Sequence, residues 1–168
     1  MRSKEIKSEF LVINEEGLSL SGKALTELLQ SILAKEASFR FKVRGFSMSP
    51  FIRDSDVLSI TSFNNGRIGF GQTVAFIHPQ TEKLVIHRII GNNPDGYLIK
   101  GDNAWNIDSL VPRENILGAV TRIERKGKQV SLGLGWERLV IALLSKSRLW
   151  SLAFWMRRFL ISQVRRFV

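Results

Sequence analysis

Three kinds of side chain in this sequence could act together as a nucleophile, a base and an orienting acid: Ser47, His87, and either Asp102 or Asp108. A serine hydroxyl becomes a good nucleophile only when a neighbouring base takes its proton. Histidine can be that base near neutral pH, and a carboxylate can orient the imidazole ring and stabilise its protonated form. Whether the three side chains meet depends on the elements that carry them.

Ser47 lies in the segment 44–50, Arg-Gly-Phe-Ser-Met-Ser-Pro. Apolar and charged residues alternate over residues 39–44, at the two-residue period of a half-buried strand. Gly45 then permits a tight backbone path, and Pro50 ends any regular strand pairing. The pattern predicts that Ser47 lies in a turn at a strand end, which is a good position for a nucleophile and an ordinary one for a serine.

His87 lies in the apolar run 85–90. Strand alternation puts it on the same face as Val85 and Ile89, with Arg88 on the opposite face. A histidine on an apolar face is more often a buried core residue than a base, so both interpretations stay open.

Two carboxylates follow in the segment 100–108, Lys-Gly-Asp-Asn-Ala-Trp-Asn-Ile-Asp. Asp102 and Asp108 come directly after a predicted strand, where either could orient His87. Aspartate and asparagine also favour turns for backbone reasons alone.

The elements that would position these residues belong to a mainly β chain. A strand and turn are predicted at 9–20, followed by an amphipathic helix that Ser21 can cap and that ends near Glu36. Seven short β-runs separated by turn residues then predict an antiparallel, barrel-like domain over 38–132. The runs are Phe39–Val43, Val57–Ser62, Thr73–Ile77, Leu84–Ile90, Tyr97–Lys100, Leu117–Arg125 and Gln129–Leu132.

The chain therefore divides into 1–37, packed on the core, the β domain at 38–132, and a basic tail at 133–168. Residues 136–166 read as helical, with apolar residues on one side and arginines on the other. A basic, tryptophan-rich helix of this kind is typical of a membrane surface. A helix packed on the β domain and a helix that binds a partner protein are the alternatives.

Composition limits the partners and cofactors. The net charge is +10, and most of it lies in residues 122–168, which favours an anionic surface such as acidic lipid. One helix is too little for a helix-turn-helix DNA reader, so nucleic acid is not expected.

With no cysteine and two histidines, we expect no metal centre and no cofactor. No run reaches the roughly 18 apolar residues of a membrane span, so we expect a cytoplasmic protein, peripheral on the inner membrane face at most.

Four segments, 45–50, 85–89, 100–108 and 116–120, together resemble the type I signal peptidase family, which also includes the self-cleaving SOS-repressor peptidases. The segments occur in the family's order and span roughly residues 40–122. Most bacterial members use a Ser–Lys dyad. A histidine falls at the lysine position here, which resembles the archaeal and endoplasmic-reticulum branch.

The resemblance implies a serine endopeptidase that cleaves an extended segment after a small residue. It implies that Ser47 is the nucleophile, that its backbone N–H is the oxyanion donor and that His87 is the base. Asp108 would be the orienting acid and Asp102 a second, supporting acid. The residues beside the nucleophile would contact substrate: Gly45, Phe46, Met48 and Pro50.

The sequence differs from the family pattern at two positions, and it also allows other interpretations. Ser55 and Gln72 stand where the family usually has the Gly and the Asp of two Gly-Asp pairs. Lys83, four residues before His87, is a rival base, and His78 is expected to face solvent before its proline. The main functional alternative is a binding module that holds a peptide or a membrane without cutting. A DNA-binding repressor peptidase would need a larger N-terminal domain than residues 1–37.

Overall fold

The computed structural model describes residues 22–63, 68–108 and 110–147. The seven strands predicted within 38–132 are present there; β3 has the predicted ends, and the ends of the other six differ from the prediction by up to three residues. The helices are α1 (Gly22–Ala34) and α2 (Glu137–Lys146), and the strands are β1 (Phe39–Lys42), β2 (Val57–Thr61), β3 (Thr73–Ile77), β4 (Leu84–Asn93), β5 (Gly96–Lys100), β6 (Ile116–Arg125) and β7 (Lys128–Val130). A 3-10 turn at Arg113–Asn115 precedes β6.

The strands form one open antiparallel sheet. Its order is β1-β2-β6-β3-β4-β5, with β7 pairing with β6. Because β1 and β5 lie at the two ends of this order, the sheet is not closed, and the predicted barrel-like closure is wrong. Short antiparallel strands occur in open sheets and in barrels alike. Local alternation therefore gave no signal about whether the first and last strands pair.

The central strand β3 separates two apolar clusters. Ala75 belongs to one cluster, and its neighbours Val74 and Phe76 belong to the other. Successive side chains of a strand point to opposite faces of the sheet. The near-continuous apolar run of β3 therefore reflects a strand that is buried on both faces.

Helix α1 covers the first of these clusters and confirms the predicted amphipathic helix. Its apolar stripe lies against the sheet, with Leu29 and Leu33 buried. Burial of such a leucine contributes about 1.5–3 kcal/mol. The helix contacts β1, β4 and β6, so it packs on the same core as the strands around the candidate site.

Helix α2 contacts β4 at the other end of the described chain. Residues 1–21 and 148–168 lie outside the described residues. The predictions that fall there are the strand at 9–20, the cap at Ser21 and the continuation of the C-terminal helix. The division into 1–37, 38–132 and 133–168 stays a prediction. Neither helix of the described chain is long and apolar enough to cross a membrane.

Candidate active site

Ser47 lies in an exposed turn that follows β1. Gly45 has a φ of +113°, which a glycine adopts without steric cost. Its N–H donates to Oδ1 of Asp54 at 2.9 Å. The N–H of Ser49 donates to the carbonyl of Phe46 at 3.1 Å and closes the turn around Ser47. The serine therefore stands in a braced turn that is open to solvent.

Asp54 is the anion that holds this turn, and the sequence analysis did not single it out. The Gly45 N–H and the Ser55 hydroxyl hold the pKa of Asp54 below its ordinary value of 3.8. The carboxylate therefore stays charged, and the turn stays braced, at any pH near neutrality. An Asp-Ser-Asp run shortly after the turn was the only sequence signal for it.

His87 lies inside the sheet, where β4 pairs it with Val74 of β3. Its ring packs 6.3 Å from the ring of Phe76, between centroids. Nδ1 lies 2.6 Å from Oδ2 of Asp108. An ionised carboxylate can only accept a hydrogen bond, so Nδ1 carries the proton and Nε2 of the neutral ring is an acceptor. This is the tautomer that a general base acting through Nε2 needs.

The loop 101–108 joins the serine turn to the histidine strand. Its Asn103 N–H donates to the carbonyl of Ser47 at 2.7 Å, and the Asn103 side chain donates to the carbonyl of Phe46 at 3.2 Å. At its other end, the Asp108 N–H donates to the carbonyl of Ile99 in β5 at 2.9 Å. The loop thus brings Asp108 back beside the sheet and holds the turn against it.

Gly101 marks the point where the serine and the histidine approach each other. A Cβ atom at this glycine would lie 2.8 Å from the Ser47 carbonyl oxygen and 2.9 Å from Nε2 of His87. Both distances are too short for a side chain. The acceptor nitrogen of His87 and the backbone of Ser47 therefore border the same small space, which exists because residue 101 has no side chain.

Two groups of Ser47 remain available for chemistry. Among the described residues, its backbone N–H has no hydrogen-bond acceptor and its hydroxyl makes no hydrogen bond with the His87 ring. Hydrogen bonds between catalytic groups are often long in an enzyme without substrate and tighten when substrate binds. An N–H without an acceptor is also what an oxyanion site requires.

Asp102 has a different partner from Asp108. Its two carboxylate oxygens each accept a hydrogen bond from the Arg88 guanidinium, both at 2.8 Å. The remaining Arg88 nitrogen donates to the carbonyls of Gly71 and Gly133. Both side chains of the pair are buried. Asp102 therefore anchors the loop to β4, and Asp108 is the carboxylate that meets His87.

The residues expected to contact substrate separate into two groups. Phe46 and Gly45 are exposed beside Ser47, and Pro50 is half-buried. Met48 is buried in the core cluster, where its sulfur accepts a hydrogen bond from the Asp102 N–H at 3.5 Å. Its side chain supports the loop from below and does not line the surface that a peptide would meet.

The rival base is remote from the site. Lys83 is exposed and precedes the first residue of β4, four residues before His87. Four residues of strand span about 13 Å. His78 is half-buried at the same turn, and its Nδ1 accepts a hydrogen bond from the Gln80 N–H at 3.3 Å. Neither side chain reaches the space beside Gly101.

Lys100 is a further buried group that the sequence analysis did not single out. Its ammonium lies 3.4 Å from the carbonyl of Gly101 and 3.3 Å from the hydroxyl of Ser145 in α2. It therefore links the C-terminal helix to the start of the 101–108 loop. A lysine at the end of a strand gives no sequence signal for such a role.

Within residues 22–63, 68–108 and 110–147, no group of three or more His, Cys, Asp or Glu side chains could hold a metal ion. In comparisons with known proteins, the chain matches no protein-family model and no curated protein.

Proposed function

We propose that the protein is a serine endopeptidase on the signal-peptidase and repressor-peptidase fold. One observation carries the proposal. Nδ1 of His87 is bonded to Asp108 at 2.6 Å, and Nε2 of the same ring borders the space beside the Ser47 backbone. A histidine that only filled the core would also need a partner for its ring N–H, but it would not need an acceptor nitrogen near an exposed serine.

In the proposed reaction, Ser47 Oγ attacks the scissile carbonyl carbon while its proton passes to Nε2 of His87. The carbonyl electron pair moves onto oxygen, where the Ser47 N–H stabilises the charge. The intermediate collapses to an acyl-serine, and His87 returns its proton to the leaving amine. Water, deprotonated by His87, then hydrolyses the ester. Asp108 keeps the ring in the required tautomer throughout.

An extended peptide is the substrate that suits this site. The serine turn follows β1, which lies at one end of the sheet order. At the other end, the outer edge of β5 already pairs with Val111 and Asp108, so the peptide would add to β1. Edge strands have unpaired backbone groups to which a peptide can add as a further strand. Backbone hydrogen bonds would then hold the substrate, and a small residue before the scissile bond would fit close to the protein backbone.

The test is cleavage of a peptide library with alanine or glycine before the scissile bond. Ser47→Ala and His87→Gln should each lower the rate about a millionfold, to the background of the assay, because the serine and its base act as one unit. The chain offers matched controls. Ser49→Ala changes the next serine of the same turn, and His78→Gln changes the only other histidine. Both controls should cleave at the wild-type rate.

Residual cleavage in Ser47→Ala or His87→Gln at the level of the controls would refute the proposal. The alternative, a non-catalytic module that binds peptides, predicts a different pattern. Wild-type protein would then bind library peptides without releasing any product, and the Ser47→Ala variant would bind them with the same affinity.

A further inference from the structure

Helix α2 has apolar side chains on two opposite faces. One face buries Ile141, Ala142 and Ser145 within the protein. At 100° per residue, four other side chains lie within an arc of about 100° on the opposite face. They form the outer stripe: Trp136, Leu139, Val140 and Leu143. Their exposed fractions are 79%, 45%, 46% and 58%, so the described residues leave the stripe open.

The packing of α2 fixes the direction of the outer stripe. At the start of the helix, the Glu137 carboxylate accepts hydrogen bonds from the N–H groups of Gly133 and Gly135 at 2.8 and 2.9 Å. Near its end, Ser145 meets the buried ammonium of Lys100 at 3.3 Å. Because both ends are held, the helix cannot rotate to bury the outer stripe against the sheet.

We propose that the outer stripe docks on an anionic lipid surface. A tryptophan at one end and aliphatic side chains along one face are the composition of helices that lie in the headgroup region of a membrane. The charge of the chain suits anionic headgroups. The net charge is +10, and residues 148–168, which follow α2 in the sequence, hold five arginines and no acidic residue.

The same charges disfavour a second copy of the chain on the outer stripe. Lys146 ends α2 and lies on the same side of the helix as Leu139. Two stripes packed face to face would bring these lysines and two net charges of +10 together. A membrane with acidic lipids turns this repulsion into attraction. The proposal is independent of peptidase activity, because α2 lies outside residues 40–122, to which the peptidase resemblance is confined.

The experiment is co-sedimentation of the full-length protein with vesicles of phosphatidylcholine, with and without phosphatidylglycerol. The wild type should bind the anionic vesicles, and bind less well in high salt. The variant Leu139→Gln/Leu143→Gln keeps the charge and the helix propensity and removes two apolar contacts. Its binding should fall at least about tenfold, since a buried leucine is worth more than 1.4 kcal/mol.

The matched control is Lys126→Gln/Lys128→Gln at the β6–β7 turn, where both lysines are exposed. It lowers the charge by two and leaves the outer stripe intact, so any loss of its binding should vanish in high salt, whereas the loss in the stripe variant should persist. The proposal is overturned if the wild-type protein does not bind anionic vesicles, or if the stripe variant binds them as well as the wild type does.

Thermal unfolding and molecular mass, both measured without vesicles, test whether the chain itself or a second copy of it covers the outer stripe. The stripe variant should unfold at the wild-type temperature, because its changed side chains are exposed. A lower unfolding temperature would mean that the chain itself covers the outer stripe. A loss of dimer mass would mean that a second copy does. Either result overturns the proposal.

Discussion

Two consecutive residues of β4, His87 and Arg88, each pair with a carboxylate of the same loop. The two pairs differ in burial and in the number of hydrogen bonds that they make. The His87 and Asp108 side chains are 11% and 16% exposed. The Arg88 and Asp102 side chains are 1% and 0% exposed. Because neighbouring residues of a strand point to opposite faces, one short loop reaches a partly buried pair and a fully buried pair.

The difference gives the two pairs different roles: Arg88 and Asp102 hold the loop in place, and His87 and Asp108 are proposed to take part in the reaction. Arg88 donates to both oxygens of Asp102 and to two backbone carbonyls, so the buried pair has its hydrogen bonds satisfied and holds the loop. His87 uses one nitrogen on Asp108, and in the proposed reaction the other nitrogen accepts the proton of Ser47. A loop anchored through Asp102 can present Asp108 accurately, since anchor and site are six residues apart.

The largest effect is expected on activity at the partly buried pair, His87 and Asp108. Asp108→Asn should lower peptide cleavage about 10⁴-fold, because an asparagine no longer enforces the tautomer with a free Nε2. Folding should lose only about 1 kcal/mol, the worth of one hydrogen bond. Cleavage kinetics and urea unfolding of the same preparation give both numbers. Asp95→Asn, an exposed aspartate at the β4–β5 turn, is the control. Equal losses of activity in the two variants would contradict the distinction.

The buried pair should show the opposite balance. Arg88→Met leaves the Asp102 carboxylate buried without its partner and should cost about 3–5 kcal/mol in the free energy of unfolding. Urea unfolding measures it. The double variant Arg88→Met/Asp102→Leu should recover much of the loss, because no buried charge then lacks a partner. If the double variant is as unstable as the single one, the loss does not come from a buried charge.

A smaller effect is expected at Glu137. Its carboxylate accepts a hydrogen bond from the N–H of Gly133, the residue whose carbonyl accepts a hydrogen bond from Arg88. The N–H groups of Glu137 itself, of Gly133 and of Gly135 hold the pKa of Glu137 below its ordinary value of 4.5. The stabilisation is therefore present above pH 4.5 and is lost as the pH falls through the lowered pKa. Glu137→Gln should cost up to about 1 kcal/mol at pH 7, a small figure because the side chain is partly exposed.

Urea unfolding across pH checks this prediction, with Glu114→Gln, at an exposed glutamate, as the control. The difference between wild type and Glu137→Gln should shrink as the pH falls below 4.5. A difference that is constant down to acid pH would show that the carboxylate charge is not its source.

The local elements were predictable because their signals are local. Short β-runs between turn residues located the strands, and the one-sided apolar pattern of an amphipathic helix located α1. The serine turn followed from Gly45 and Pro50 flanking a strand end. What failed depends on distant residues: the sheet is open where a barrel-like domain was expected. The burial of the Met48 side chain in the core had no local signal either, and its contact with substrate stays a prediction.

By itself, the sequence determined the order of the elements and the residue types available for chemistry, because periodicity and turn preferences act over a few neighbouring residues. Only the tertiary structure decided which carboxylate meets His87. Both aspartates follow the same strand and have the same local signals. The choice depends on how the loop crosses β4. Arg88 donates to Asp102 on one face of the sheet, and His87 meets Asp108 on the other.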